Sequence, residues 1–226
     1  MPFAQRLFPR FRVEREHRPR AERAPAGPSL GIRWLGTAGH VITAGDTTVL
    51  LDPFVTRPGL RGLARPLAPD AAAIERWIPR RVDAVLVGHS HYDHLLDAPA
   101  IALDRGARLV GSETTLALAR ATGVPEDQLD LVPPTGRTLR VGSFEITFVP
   151  SLHGRIFFGR VPLPGSWSHT PPLPLPAWRY RMGGAFGILI RASANGDPAS
   201  ARTVYHNGSA DLVGVELAGR HADVLL

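Results

Sequence analysis

The chain has 226 residues, 44% hydrophobic and 20% charged, with a formal net charge of +6 and no cysteine. A chain of this size and composition suits one domain with one hydrophobic core, and the lack of thiols excludes disulfides, thiolate nucleophiles and cysteine-ligated zinc. No apolar run reaches the ~18 residues of a membrane-spanning helix, and the N-terminus lacks the apolar core of a secretory signal, so a cytoplasmic location is expected.

Residues 1–29 read as a basic, Pro-containing N-terminal arm, set apart from a domain over residues 30–226. Arg6, Arg10, Arg12, Arg15, Arg18, Arg20 and Arg23 concentrate the positive charge there, while Glu14, Glu16 and Glu22 argue against a transit peptide. The chain contains no Lys, so each of its 26 Lys-or-Arg positions is Arg, among abundant Ala, Gly and Pro. That usage points to a coding bias rather than to phosphate binding, so nucleic acid is not the expected partner.

From Leu30 short apolar runs begin. Gly31–Gly36, His40–Ala44 and Thr47–Leu51 read as strands of a meander turning at Gly45-Asp46 and ending at Asp52-Pro53. Asp70 is placed to cap a helix over Ala71–Trp77. Val82–Gly88 reads as a buried strand, and Asp97 as the cap of a helix reaching about Leu103. A strand at Arg108–Val110 and a helix at Glu113–Ala121 follow, and this alternation of strand and helix indicates α/β layering. Thr138–Val141 and Phe144–Val149 form a second hairpin about Gly142-Ser143. An irregular Pro-rich segment from Val161 to Met182, carrying Trp167, His169, Trp178 and Tyr180, has the length of a functional insertion. Strands at Ala185–Arg191 and Thr203–His206, a helix at Leu212–Leu217 and a strand at Ala222–Leu226 complete the pattern.

The strongest chemical signal is His89-Ser90-His91-Tyr92-Asp93-His94, which begins where the Val82–Gly88 strand ends. In an extended segment His89 and His91 point to one side and can share an ion. Asp93 and His94 follow where the chain turns, and are placed to serve a second position. Imidazole and carboxylate donors suit zinc, with manganese or iron as alternatives. A further imidazole, His153, follows the Phe144–Val149 strand and is placed to complete a three-His set.

This pattern resembles the HxHxDH signature of the metallo-β-lactamase superfamily, and the resemblance runs from about Leu30 to the end. Trp34-Leu35-Gly36 and Thr47–Pro53 resemble its opening strands. Leu51-Asp52-Pro53-Phe54 is most similar to the branch holding the N-acyl-phosphatidylethanolamine phospholipase D-like and lactonase-like hydrolases. The resemblance implies an α/β fold of αββα type, two mixed sheets face to face with helices on both outer faces and the metal site at one edge. It implies one or two Zn2+ ions, the first on His89, His91 and His153 and the second on Asp93 and His94. A metal-bound hydroxide would be oriented or deprotonated by Asp93, and Asp52 would hold a ligand imidazole in its tautomer.

Two departures stand out. Relatives of this kind often carry Gly-Asp after the insertion, the Asp bridging both ions; here the stretch is Tyr205-His206-Asn207-Gly208-Ser209-Ala210-Asp211. Asp211 is the substitute ligand to test against a plain helix-capping role, with His206 as a further candidate. The second departure is the end at Leu226 within an apolar strand, which reads as a domain with its C-terminal part missing and a sheet edge left open.

The leading expectation is a metal-dependent hydrolase acting on an ester, lactone or phosphodiester of a small-molecule or lipid-like substrate. The aromatic insertion would cover the pocket, unless its rings serve the core. Arg155 and Arg160 are available to a phosphate, although solvated surface arginines are the simpler reading. The rival readings are a catalytically inert or incomplete metal-binding relative and a ribonuclease Z-like nuclease. No residue specifies the substrate or the oligomeric state.

Overall fold

The computed structural model describes residues 29–193, 200–209 and 211–226, so the expected arm lies, apart from Ser29, outside the described residues. Strands β1 (Leu30–Gly36), β2 (Gly39–Ala44) and β3 (Thr47–Leu51) form the antiparallel meander. Beyond β3 the same sheet continues in parallel through β4 (Ala84–Leu86), β5 (Arg108–Gly111) and β6 (Leu129–Leu131). Parallel neighbours need crossovers. Those are helices α1 (Leu60–Leu63) and α2 (Ala71–Trp77) before β4, and α3 (Tyr92–Leu95) and α4 (Ala98–Arg105) before β5. Helix α5 (Glu113–Thr122) precedes β6.

The second sheet holds β7 (Arg137–Val141), β8 (Phe144–Pro150), β9 (Phe186–Ala192), β10 (Arg202–His206) and β11 (Val224–Leu225), in the spatial order β11-β10-β9-β8-β7. It is antiparallel except for the parallel pair β10 and β11. Both sheets are therefore mixed, as expected.

Period-two alternation assigns the faces. Ile42, Val49, Leu51 and Leu86 point between the sheets and meet Ile146, Phe148, Phe186 and Ile188. Their neighbours Val41, Leu50, Val85 and Val87 point the other way, onto Ile74 of α2, Ile101 of α4 and Leu118 of α5. The outer face of the second sheet is covered more thinly, with Val149, Leu189 and Tyr205 under Leu217 of α6 (Gly214–Leu217) and Ala222. None of the described helices is long and apolar enough to cross a membrane.

Several local expectations are corrected. Asp70 does cap α2, accepting from the amides of Ala72 and Ala73. Asp97 sits at the start of α4 but does not cap it. Its buried carboxylate instead accepts from the Val55 and Thr56 amides at 2.6 and 2.7 Å and from the Thr56 hydroxyl at 2.6 Å, tying down the chain that leaves β3. The helix expected at Leu212–Leu217 is only the single turn α6, whose leading residue is Val213, so Asp211 caps nothing. The terminal strand expected at Ala222–Leu226 pairs only over Val224–Leu225. The short strand β6 carries no period that would mark it in the sequence, because Leu-Asp-Leu fits a loop as well.

Candidate metal centre

The strand ends converge on one edge of the sandwich. Asp52 follows β3, His89 and His91 follow β4, His153 follows β8 and His206 closes β10. Asp52 is fully buried and sits at a φ of +40°, in the left-handed region that costs a side-chain-bearing residue energy. That conformation turns its carboxylate into the gap between the sheets. Oδ1 accepts from the Gly88 amide at 2.7 Å, while Oδ2 lies 2.9 Å from His94 Nδ1 and 3.0 Å from His206 Nε2.

Two glycines leave room for this carboxylate. A Cβ at Gly208 would stand 2.5 Å from Asp52 Oδ2 and 2.8 Å from His206 Nε2, and one at Gly88 would stand 3.2 Å from Asp52 Oδ2. Burial works to raise the Asp52 carboxyl, but the charge of His94 and the hydrogen bonds from His206 and His94 outweigh it and hold it well below the usual carboxylate range. An ionised Asp52 accepts a hydrogen bond from each ring, so His94 carries a hydrogen on Nδ1 and turns Nε2 elsewhere. Burial lowers His94, but attraction to Asp52 dominates and leaves it raised.

Beside this carboxylate, His89, His91 and His153 bring ring nitrogens within 4.8 Å of one another, and His153 also lines the open cleft. His89 Nε2 and His91 Nδ1 face each other at 3.1 Å. His153 Nδ1 is bonded to its neighbour's carbonyl, Gly154 O, at 2.8 Å, which leaves Nε2 for the cluster. Ser90, between the first two, is bonded away from the site through its hydroxyl to Thr115 and through its amide to Met182 O. Burial first, then repulsion from neighbouring imidazoles, drives His89 far down and His91 to about 4, so both are neutral near pH 7.

Neutral imidazoles that converge in a buried space and turn their free ring nitrogens on one another are costly unless something binds between them. A tetrahedral ion with nitrogens at about 2.0–2.1 Å sets neighbouring donors about 3.3 Å apart. The 3.1 Å separation of His89 Nε2 and His91 Nδ1 is close to that edge, and a carbonyl on the far nitrogen is the usual support for a ligating imidazole, as at His153. The donor set fits a divalent ion.

Asp93 is about one-third exposed, with Oδ2 4.0 Å from His94 Nε2. It opens with His94, His153, His206 and Ser209 onto a cleft of about 420 Å3. Asp211 is not brought into the cluster: its carboxylate accepts from the Leu212 amide and its carbonyl from the Ser151 hydroxyl. His206, a weaker sequence candidate, is present as a partner of Asp52. His40 lines the same cleft and was read only as a strand residue, since nothing near it in sequence marks it.

Two aromatic residues of the insertion serve the core. Trp167 packs against the helical layer and accepts the Thr114 hydroxyl at its carbonyl, and Tyr180 is buried in the helical core. Tyr180 also lines an apolar cavity of about 370 Å3 with Leu96, Leu118 and Leu173, away from the imidazoles. Trp178 and Arg155 are exposed.

Residues 47–169 match a family model described as a beta-lactamase superfamily domain. A UPF0173 metal-dependent hydrolase of Anaeromyxobacter dehalogenans (strain 2CP-C) is 30% identical over 184 residues, covering 80% of this chain and 56% of that protein. The chain spans about half the length of the curated relatives it matches. Among solved structures, a possible metal-dependent hydrolase from Veillonella parvula superposes with a TM-score of 0.51 at 21% identity, covering 88% of this chain and 70% of that one. The diiron beta-hydroxylase CmlA from Streptomyces venezuelae superposes with a TM-score of 0.54 at 20% identity, covering 89% of this chain and 34% of that one. At these identities the two structures establish the shared fold.

Proposed function

Because the chain belongs to the β-lactamase superfamily domain family, we propose that it is a metal-dependent hydrolase with its ion on His89, His91 and His153. The observation carrying this reading is the convergence of three imidazoles within 4.8 Å, beside a cleft that also receives Asp93. A divalent ion bound there supplies Lewis acidity and brings the pKa of water toward neutrality. Zinc suits the three-nitrogen set best, and manganese or iron are the alternatives.

The chain's own residues then have separable tasks. His89, His91 and His153 would hold the ion, and His153 also lines the cleft through which water and substrate would enter. Asp93, the carboxylate on the cleft wall, accepts the proton of the attacking water and returns it to the leaving group. Asp52 keeps His94 in one tautomer and orientation. The substrate class that suits an open cleft of this volume is a small-molecule or lipid-like ester, lactone or phosphodiester.

The test is metal content by elemental analysis on protein purified without added metal, beside His91→Ala and His153→Ala. A panel of nitrophenyl esters, an acyl lactone and a nitrophenyl phosphodiester is assayed on the same samples. At least one ion per chain, lost in both variants together with hydrolysis, is the expected result. Wild-type protein that is metal-free and cannot be reloaded would overturn the reading.

A further inference from the structure

Beside the three-imidazole set lies a second position, facing Asp93 Oδ2 and His94 Nε2, which are 4.0 Å apart. A catalytic zinc takes three protein ligands, and among the described residues no third metal-binding side chain is grouped with this pair. Among the described residues only two groups of three metal-binding side chains occur: His89, His91 and His153, and Asp52, His89 and His94. The second group is committed within itself, because Asp52 Oδ2 already receives His94 Nδ1 and His206 Nε2. Asp211 is bonded to Leu212 outside the cluster.

What the turn after β10 offers to the cleft is Ser209. It is 2% exposed, and its hydroxyl is buried without a hydrogen-bond partner. Its carbonyl accepts the Gly154 amide at 2.7 Å, which seats it against the loop that carries His153. The backbone of Ser209 is thus fixed in place, while its hydroxyl is neutral and a weak donor to a divalent ion near pH 7.

We infer that this chain holds a single ion, on His89, His91 and His153, and that the position beside Asp93 and His94 stays without one because Ser209 stands where a carboxylate would complete it. The inference rests on the ligand reading above and adds the stoichiometry. It also leaves Asp93 free of metal, as a general base should be. A carboxylate one atom longer at residue 209 reaches into the cleft that Ser209 already lines, and converts the pair of donors into a set of three.

The experiment titrates metal-stripped protein with zinc and counts ions by native mass spectrometry, with Ser209→Asp and Asp93→Asn beside the wild type. Wild type is expected to saturate at one zinc per chain and Ser209→Asp at two. Asp93→Asn is expected to keep one zinc with an affinity within about twofold of wild type, and it decides the matter even if Ser209→Asp does not fold. Two zinc ions on the wild type, a single ion on folded Ser209→Asp, or loss of the ion in Asp93→Asn would each overturn the inference. No zinc on the wild type would instead remove the proposed function itself.

Discussion

Asp52 Oδ2 and His206 Nε2 lie 3.0 Å apart although 154 residues separate them. Asp52 leaves β3 of the first sheet and His206 ends β10 of the second, so this bond joins the two layers at the edge where the imidazoles gather. Its Oδ1 meanwhile fixes Gly88, the residue before His89. One buried carboxylate thus sets the spacing of the sheets and the start of the metal loop together.

Replacing Asp52 by Ala strands two buried imidazoles and one amide. Removing one partner of a buried charged set costs about 3–5 kcal/mol, a large share of the roughly 5–15 kcal/mol that holds a domain together. Urea unfolding of metal-free Asp52→Ala should show a loss of that size, and any folded fraction should bind zinc more weakly. A loss below about 1 kcal/mol would show that the bond between the layers contributes little.

Gly208→Ala probes the same bond from the other side. The added Cβ would meet both Asp52 Oδ2 and His206 Nε2 inside normal contact distance, so one must move. Overpacking of this kind costs about 1–3 kcal/mol. The expected result is a lower urea midpoint and a weaker zinc affinity. Ala at Gly214, where a Cβ meets nothing within 4 Å, should leave both unchanged.

Much of the centre was legible because it is local. His89 to His94 fall within six residues after an apolar strand, and the spacing alone states that two imidazoles share a side. His153 was legible through its place after a strand, once the cluster was known. His40 was read only as a strand residue and His206 only as a weaker ligand candidate, since each sits in a strand pattern and its partners arrive from distant sequence. Asp97 was misread for the same reason. An Asp before Ala-Pro-Ala looks like a helix cap, and only the fold shows it spent on Val55 and Thr56. The α/β layering was legible from alternation and the pair of sheets from the family resemblance, whereas β6 and the shortness of α6 depend on tertiary pairing that no local period reports.

That misreading yields a control. Asp97→Ala removes three hydrogen bonds to a buried carboxylate, two of them from backbone amides left unsatisfied. Hydrogen bonds to charged groups are worth about 1.5–3 kcal/mol each in context and are not additive, so a loss of about 3 kcal/mol is expected. Zinc stoichiometry should stay at its wild-type value, because Asp97 touches none of the imidazoles. A change in zinc count with Asp97→Ala would mean that the chain from Val55 shapes the site more directly than its contacts indicate.

The metal-free protein should also report its imidazoles through pH. His89 and His91 are depressed in the folded state, His91 to about 4, by burial and by repulsion among the rings. In the unfolded chain they titrate near about 6.5. Between those values the unfolded state binds more protons, so stability rises with pH; their contribution is complete above about 6.5 and lost as pH falls toward 4. His94 opposes this, because its raised pKa gives stability that is present below about 6.5 and lost as pH climbs through the folded value. His40 is depressed as well, by burial and by the neighbouring His206, and three depressed rings against one raised ring leave a net rise from pH 4.5 to 6.5. Urea midpoints in the presence of a chelator should follow it, and His91→Gln should flatten it. Midpoints that fall over this range in the wild type would show that the rings are protonated in the folded, metal-free state and that they do not converge as closely as the structure places them.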